Sequence, residues 1–315
     1  MKKMFCLILA LCLLSSCAYA QGVQVAALKG PTAMGMVKMM NDNEANGAYA
    51  FEICAAADEI TPKLAQGKLD IAALPANLAS VLYNRTNGAL QVLAVNTLGV
   101  LYIAERGDSV HSAADLAGKT IYSAGKGSTP EYALNHILTS NGLIPGEDVT
   151  IEFKSEHAEC LAALMGNPEA VAMLPQPFMT TALTKAPDMR VALDLNAEWD
   201  ALQDENGSAL ITGVVVARKE FIEENPEAVD RFLADYAASV EFAQNNVDEA
   251  AELVGKYGIV TAGVAKQALP ACRIVCITGE EMQAKLSGYL AVLHEQNPDA
   301  VGGTLPDAQF YYTGA

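Results

Sequence analysis

From residue 22 onward, short apolar runs of β character alternate with stretches of helical spacing, and the alternation continues to about residue 217 before the chain turns wholly helical. Runs at 23–28, 50–54, 69–74, 90–97 and 101–105 are followed by a second set at 120–123, 148–154, 170–174, 190–195 and 210–217. Strands separated by helices pair in parallel, because each crossover helix carries the chain back to the edge it left. The pattern therefore predicts an α/β fold with largely parallel sheets. Thr129 is placed to cap a helix with Pro130 in its first position and Glu131 in its first turn. Later, Val229, Phe232, Leu233, Tyr236 and Val240, then Met282, Leu286, Tyr289, Leu290 and Leu293, recur every three or four residues. That spacing predicts helices with one buried face. The Gly- and Pro-rich end, 298–315, reads as an irregular tail packed on a lobe.

Residues 4–14 form an apolar run preceded by Lys2 and Lys3 and followed by Leu14-Ser15-Ser16-Cys17. A span needs about 20 apolar residues, so this shorter run reads as a secretory signal rather than a membrane helix. A small pair before cysteine is a lipobox, which makes Cys17 the expected lipidation site and residues 1–16 the leader. Ala18-Tyr19-Ala20 offers an ordinary cleavage site as the alternative, giving a soluble periplasmic or secreted product. Removing Lys2 and Lys3 takes the charge from −17 to −19. A nucleic-acid partner is incompatible with that balance, since phosphate binding rests on basic surface. The mature chain of about 300 residues exceeds one ordinary core, which favours two lobes. Extended crossings near Ile103 and Thr212 would divide it into 17–104 in lobe one, 105–211 in lobe two, and 212–315 returning to lobe one.

Cys54, Cys160, Cys272 and Cys276 remain after the leader and Cys17 are set aside. They read as small buried hydrophobes, with up to two disulfides as the alternative. No CxxC, HExxH or Gly-x-Ser-x-Gly motif is present, so neither a metal site nor nucleophilic catalysis is expected, and no cofactor is called for.

Several segments carry a resemblance: residues 27–35 (ALKGPTAMG), 70–77 (DIAALPAN), 115–120 (DLAGKT), 125–129 (GKGST) and 172–177 (AMLPQP). In order and spacing the chain resembles the type II solute-binding proteins of ABC importers, in the branch of nitrate, sulfonate, taurine and thiamine-precursor binders. The resemblance spans essentially the whole mature chain. It implies a two-lobed type II periplasmic-binding-protein fold with a hinge and a mostly helical C-terminal part. It also implies a monomer, tethered to the membrane by its lipid, that captures a small solute between lobes and delivers it to a permease and ATPase complex. Rival classes are an enzyme of the thiamine-pyrimidine synthase kind, whose relatives lack a secretory signal, and a sensor that feeds no transporter.

Parallel sheets bind ligands where strands end and helices begin, because free N–H groups and positive dipole ends gather there. Gly30 and Thr32 mark one such junction, with Lys29 beside it; Lys126, Gly127, Ser128 and Thr129 mark another. Asn77 and Thr97 follow apolar strands of lobe one, and Gln176 holds a comparable place in lobe two; His157 stands at a similar place but reads as an exposed or capping residue beside Glu156 rather than a contact. These residues suit a small sulfonate-, nitrate- or carboxylate-like anion, although Pro31-Thr32 and Ser128-Thr129-Pro130 also fit plain helix caps. Tyr102, Tyr122, Tyr132 and Phe178 are the candidates for stacking a heteroaromatic ring instead, while Trp199 lies in a polar stretch.

Overall fold

The computed structural model describes residues 22–202 and 207–314, so Cys17 and its cleavage site lie outside the described residues. Eleven strands form among them: β1 Val23–Leu28, β2 Tyr49–Cys54, β3 Ile71–Pro75, β4 Leu90–Leu98, β5 Leu101–Arg106, β6 Thr120–Ala124, β7 Thr150–Lys154, β8 Val171–Pro175, β9 Met189–Asp194, β10 Ile211–Arg218 and β11 Ile274–Ile277. One sheet has the order β11-β4-β10-β3-β1-β2 and the other β7-β6-β8-β5-β9. β1 runs parallel to β2 and β3, and β6 to β7 and β8. In each sheet one antiparallel strand is inserted, β10 between β3 and β4 and β5 between β8 and β9. Each inserted strand follows the last parallel strand of the other sheet, so the two sheets are built on one plan and exchange a strand.

The pleat sends successive side chains to opposite faces. Along β10, Val214 and Val216 enter one apolar cluster while Val215 and Ala217 enter another. In the second sheet Ile121, Val171 and Met173 face the same cluster as Val214, whereas Tyr122, Ala172 and Leu174 face a third. One cluster therefore runs through both lobes. The helix Gly279–Gln296 completes it with Met282, Leu286, Tyr289, Leu290 and Leu293.

Ile103 and Thr212 lie inside β5 and β10, and the crossing from β4 to β5 is the short link Gly99–Val100. A Cβ on Gly99 would sit 2.6 Å from Leu210 Cδ2 and 2.9 Å from Asn196 Oδ1. The two crossings touch there, and only glycine leaves room. Gly99 N–H donates to Asn196 Oδ1 at 2.9 Å, which fixes the link to lobe two.

The helix Thr129–Ser140 is capped by Ser128, with Thr129 one position inside it, a one-residue difference from the expected cap. The tail is held on lobe one by Ser80 Oγ to Val301 O at 2.7 Å, Tyr83 OH to Asp307 Oδ1 at 2.6 Å, and a bridge between Val92 and Tyr311. All four described cysteines are free thiols. Among the described residues no helix is long and apolar enough to cross a membrane, and no group of His, Cys, Asp and Glu is arranged to hold a metal ion.

Candidate functional site

A cavity of about 280 Å³ lies between the two sheets, lined by Pro75, Asn77, Leu78, Val100, Leu101, Ser128, Thr129, Pro130, Pro175 and Thr212. Pro75 and Pro175 close β3 and β8, the third strands of the shared plan, so the walls are equivalent parts of the two lobes. Val100 and Leu101 form the floor at the crossing. Into this space open the N-termini of the helices Ala76–Arg85 and Thr129–Ser140, and neither N-cap residue makes a side-chain capping bond. The first N–H groups of a helix lack intrahelical acceptors and carry the positive end of its dipole. Among the described residues no charged side chain lines the cavity. A larger cavity of about 640 Å³ is lined by first-lobe residues only, and its guanidinium, Arg218, is already paired with Asp70 and Glu220.

The sequence candidates separate on this geometry. Asn77, Ser128 and Thr129 line the cavity together. Lys29 points to solvent, and exposed Lys126 places its ammonium 5.7 Å from the Phe153 ring centroid; a long flexible stem follows the solvent rather than the cleft. Gly30 is buried, and Thr32 Oγ1 donates to Leu28 O at 2.7 Å. Gly127 N–H donates to Glu131 Oε2 at 2.5 Å. Thr97, 1% exposed, donates from Oγ1 to Asn96 Oδ1 at 3.0 Å. Gln176 is also buried, its Oε1 accepting from Thr180 Oγ1 at 2.8 Å. None of these seven residues lines the cavity.

His157 is half-buried, 6.0 Å from the Phe178 ring, with no partner for Nδ1 among the described residues, and burial lowers its pKa. Tyr102, Tyr122 and Tyr132 are buried in the cores and Phe178 packs against one, so none of the four lines the cavity. Trp199 is 1% exposed despite its polar neighbours, with its ring centroid 5.9 Å from that of Tyr289.

Sequence reasoning missed Thr212 as a lining residue. Its hydroxyl donates to Leu98 O at 2.7 Å across the paired strands β10 and β4. The available signal was a lone threonine following Ile211 in an apolar run, and the matching Leu74-Pro75 and Leu174-Pro175 strand ends. The lobes are also joined outside the cavity, where Tyr102 OH donates to Ala271 O at 2.8 Å and Arg273 Nη2 pairs with Asp194 Oδ2.

The profile of a family described as the periplasmic substrate-binding protein of a phosphonate ABC transporter matches residues 43–268. A binding protein of Brucella abortus is 24% identical over 176 residues, covering 56% of this chain and 52% of that one. The chain thus spans about half the length of the curated relatives it matches. An ABC transporter structure from Parabacteroides distasonis superposes with a TM-score of 0.77 at 23% identity, covering 93% of this chain and 99% of that one. The periplasmic aliphatic sulphonate binding protein of Escherichia coli gives a TM-score of 0.74 at 17% identity, with 94% and 93% covered. The ligand-binding component of an ABC-type import system from Staphylococcus aureus, solved with zinc bound, gives 0.67 at 14% identity, with 92% and 98% covered. At these identities the likeness establishes the two-lobed periplasmic-binding-protein fold.

Proposed function

The chain belongs to the family of periplasmic substrate-binding proteins of ABC transporters described for phosphonate, and we propose that it captures a small organic anion between its lobes and hands it to a permease. The carrying observation is the interlobe cavity, into which two helix N-termini open from opposite lobes. Oriented N–H groups and dipole ends hold an oxyanion without a basic side chain, and the walls of Pro75, Leu78, Val100, Leu101, Pro130 and Pro175 suit a short apolar substituent. A short-chain phosphonate, sulfonate or carboxylate meets both demands. We further propose that the mature chain is a monomer tethered through a lipid on Cys17. Detergent-phase partitioning of the wild type, lost in Cys17→Ala, supports the tether; a mature N-terminus at Gln21 overturns it.

The ligand class is tested by calorimetry with a panel of short alkylphosphonates, alkylsulfonates and carboxylates. At least one should bind, and where that ligand carries a group that can donate, as the P–OH of a phosphonate monoanion does, Ser128→Ala should weaken it by about threefold to tenfold, the worth of one hydroxyl contact, with a melting temperature only slightly lowered by loss of the bond to Gly125 O. If no member of the panel binds, the anion class is wrong. If binding is unaffected by Ser128→Ala, that hydroxyl is not a contact.

A further inference from the structure

We propose that Tyr289, which lies behind the cleft on the helix Gly279–Gln296, is a positioning residue that turns the Thr129 hydroxyl into a dedicated proton donor for the ligand. The inference rests on the small-anion reading given above. Tyr289 is fully buried, and among the described residues its hydroxyl has one hydrogen-bond partner, Thr129 Oγ1 at 2.9 Å. A buried phenol with a single oxygen neighbour donates to it, because an O–H left without an acceptor in a dry core is more costly than an idle lone pair. Burial also raises the Tyr289 pKa, so the phenol keeps its proton. Thr129 Oγ1 is therefore the acceptor in this pair, and its own proton has to go elsewhere.

Threonines in this chain's helices usually send that proton to the carbonyl four residues back: Thr32 to Leu28, Thr86 to Leu82, Thr139 to Asn135 and Thr184 to Thr180. For Thr129 the corresponding carbonyl is Gly125, whose two lone pairs already accept from Ser128 Oγ at 2.6 Å and Ser128 N–H at 3.2 Å. Thr129 is 7% exposed and lines the cavity, so its proton is left for whatever enters there. The other two lining hydroxyls are set the opposite way. Ser128 donates to Gly125 O and Thr212 donates to Leu98 O, and both turn lone pairs to the cavity. Of the three, Thr129 alone offers a proton, and Tyr289 is what fixes that polarity. A ligand oxygen that accepts is thereby placed at Thr129, and a group that can donate is favoured near Ser128 and Thr212.

The test is a double-mutant cycle on the full mature chain, with ethylphosphonate as probe, followed by calorimetry and by Trp199 fluorescence, with melting temperatures alongside. Tyr289→Phe removes only the phenol oxygen, and it should weaken binding about twofold to fivefold by freeing the Thr129 rotor and removing the polarising bond. Thr129→Val should weaken it by about threefold to tenfold. In the Thr129→Val background Tyr289→Phe should have no further effect on affinity, whereas a packing role would act regardless of residue 129. Thr129→Ser, which keeps the hydroxyl, should retain both the affinity and the sensitivity to Tyr289→Phe. Unchanged affinity in Tyr289→Phe, or effects that multiply in the double variant, overturns the inference and leaves the anion reading standing. If the wild type binds neither ethylphosphonate nor any other member of the anion panel, both fall.

Discussion

Placing a methyl group on Gly213 sets two effects of opposite sign against each other. Gly213 sits in β10 between Pro75 of β3 and Thr97 of β4, with φ outside the left-handed region. Where space exists, alanine at such a position stabilises by roughly 0.4–1 kcal/mol through the unfolded chain. Here the new Cβ would lie 2.7 Å from Thr32 Cγ2, 3.2 Å from Thr97 Cβ, and inside contact distance of Asn96 Oδ1. None of the three yields easily. Thr32 is held by its bond to Leu28 O, Thr97 is 1% exposed, and Asn96 is 0% exposed. Overpacking of this kind costs about 1–3 kcal/mol, so the clash wins by about 1–2 kcal/mol. At about 2–4 °C per kcal/mol for a chain of this order of size, Gly213→Ala should melt roughly 2–8 °C lower in scanning calorimetry. Thr32→Ala in the same chain should recover part of the loss, since it removes the one obstacle of the three that lies outside β4. Thr212 is the neighbouring residue and lines the cavity, so affinity for the solute should fall with the melting temperature. A melting temperature that is unchanged or raised would refute the reasoning, because the space would then be there.

Arg273→Ala removes the interlobe pair with Asp194, whose side chains are 32% and 28% exposed; a loss of roughly 1 kcal/mol is expected, between the surface and buried limits, and an unchanged melting temperature at low salt would count against it. Glu105 is 2% exposed; burial pushes its pKa up, but the Ser109 hydroxyl, the Val110 and Ser109 amides and Arg190 outweigh it and hold it below 4.5. Its stabilisation is thus present above 4.5 and lost as pH falls through the depressed folded value, so Glu105→Gln should lose stability at neutral pH and flatten the acid limb of melting temperature against pH; an identical acid limb refutes this. Burial raises the thiol pKa to about 11 for Cys54, Cys160 and Cys276 and to about 12 for Cys272. Disulfide reagents should therefore react slowly with the folded chain at pH 8 and rapidly with all four in urea, and a reductant should leave the melting temperature unchanged; prompt reaction of the folded chain would be the contrary result.

The alternation of strands and helices was legible because the strands carry it in their composition. β3 and β8 are buried on both faces, and such strands read as unbroken apolar runs whatever surrounds them. The exchange of β5 and β10 between sheets left no local mark: extended crossings near Ile103 and Thr212 were expected, but the antiparallel insertion of each strand into the other sheet was not. Trp199 shows the limit from the other side. Glu198 and Asp200 made its surroundings look polar, yet one turn of helix brings Trp199 round to the buried side with Leu195 and Asn196. The site divides similarly. Helix N-termini announce themselves through glycine, serine, threonine and proline, so Asn77, Ser128 and Thr129 could be named. Lys29 and Lys126 were named by charge, and charge says nothing about where a flexible side chain points. Pro75, Val100 and Pro175 were passed over because a wall needs shape and carries no chemical signature.

What the sequence conceals most completely is the link between the two helices whose N-termini line the cavity, because its parts are far apart in the chain. The helix Thr129–Ser140 is bonded to the C-terminal region through Thr129 to Tyr289, Tyr132 O to Gln296 Nε2 at 3.0 Å, and Tyr132 OH to Asn297 Nδ2 at 2.9 Å. The helix Ala76–Arg85 is bonded to the same region through Ser80 to Val301 O, and through Asn84 Nδ2 to Val301 O at 2.8 Å and Thr304 O at 2.7 Å. The stripe from Met282 to Leu293 shows only that its helix packs. The hydrogen bonds show that it packs against one lobe while the residues just beyond it hold the other. Any change in the angle between the lobes must either break those bonds or turn about them, and since Thr129 is among the bonded residues, such a turn moves a cavity-lining hydroxyl least where the strap holds it.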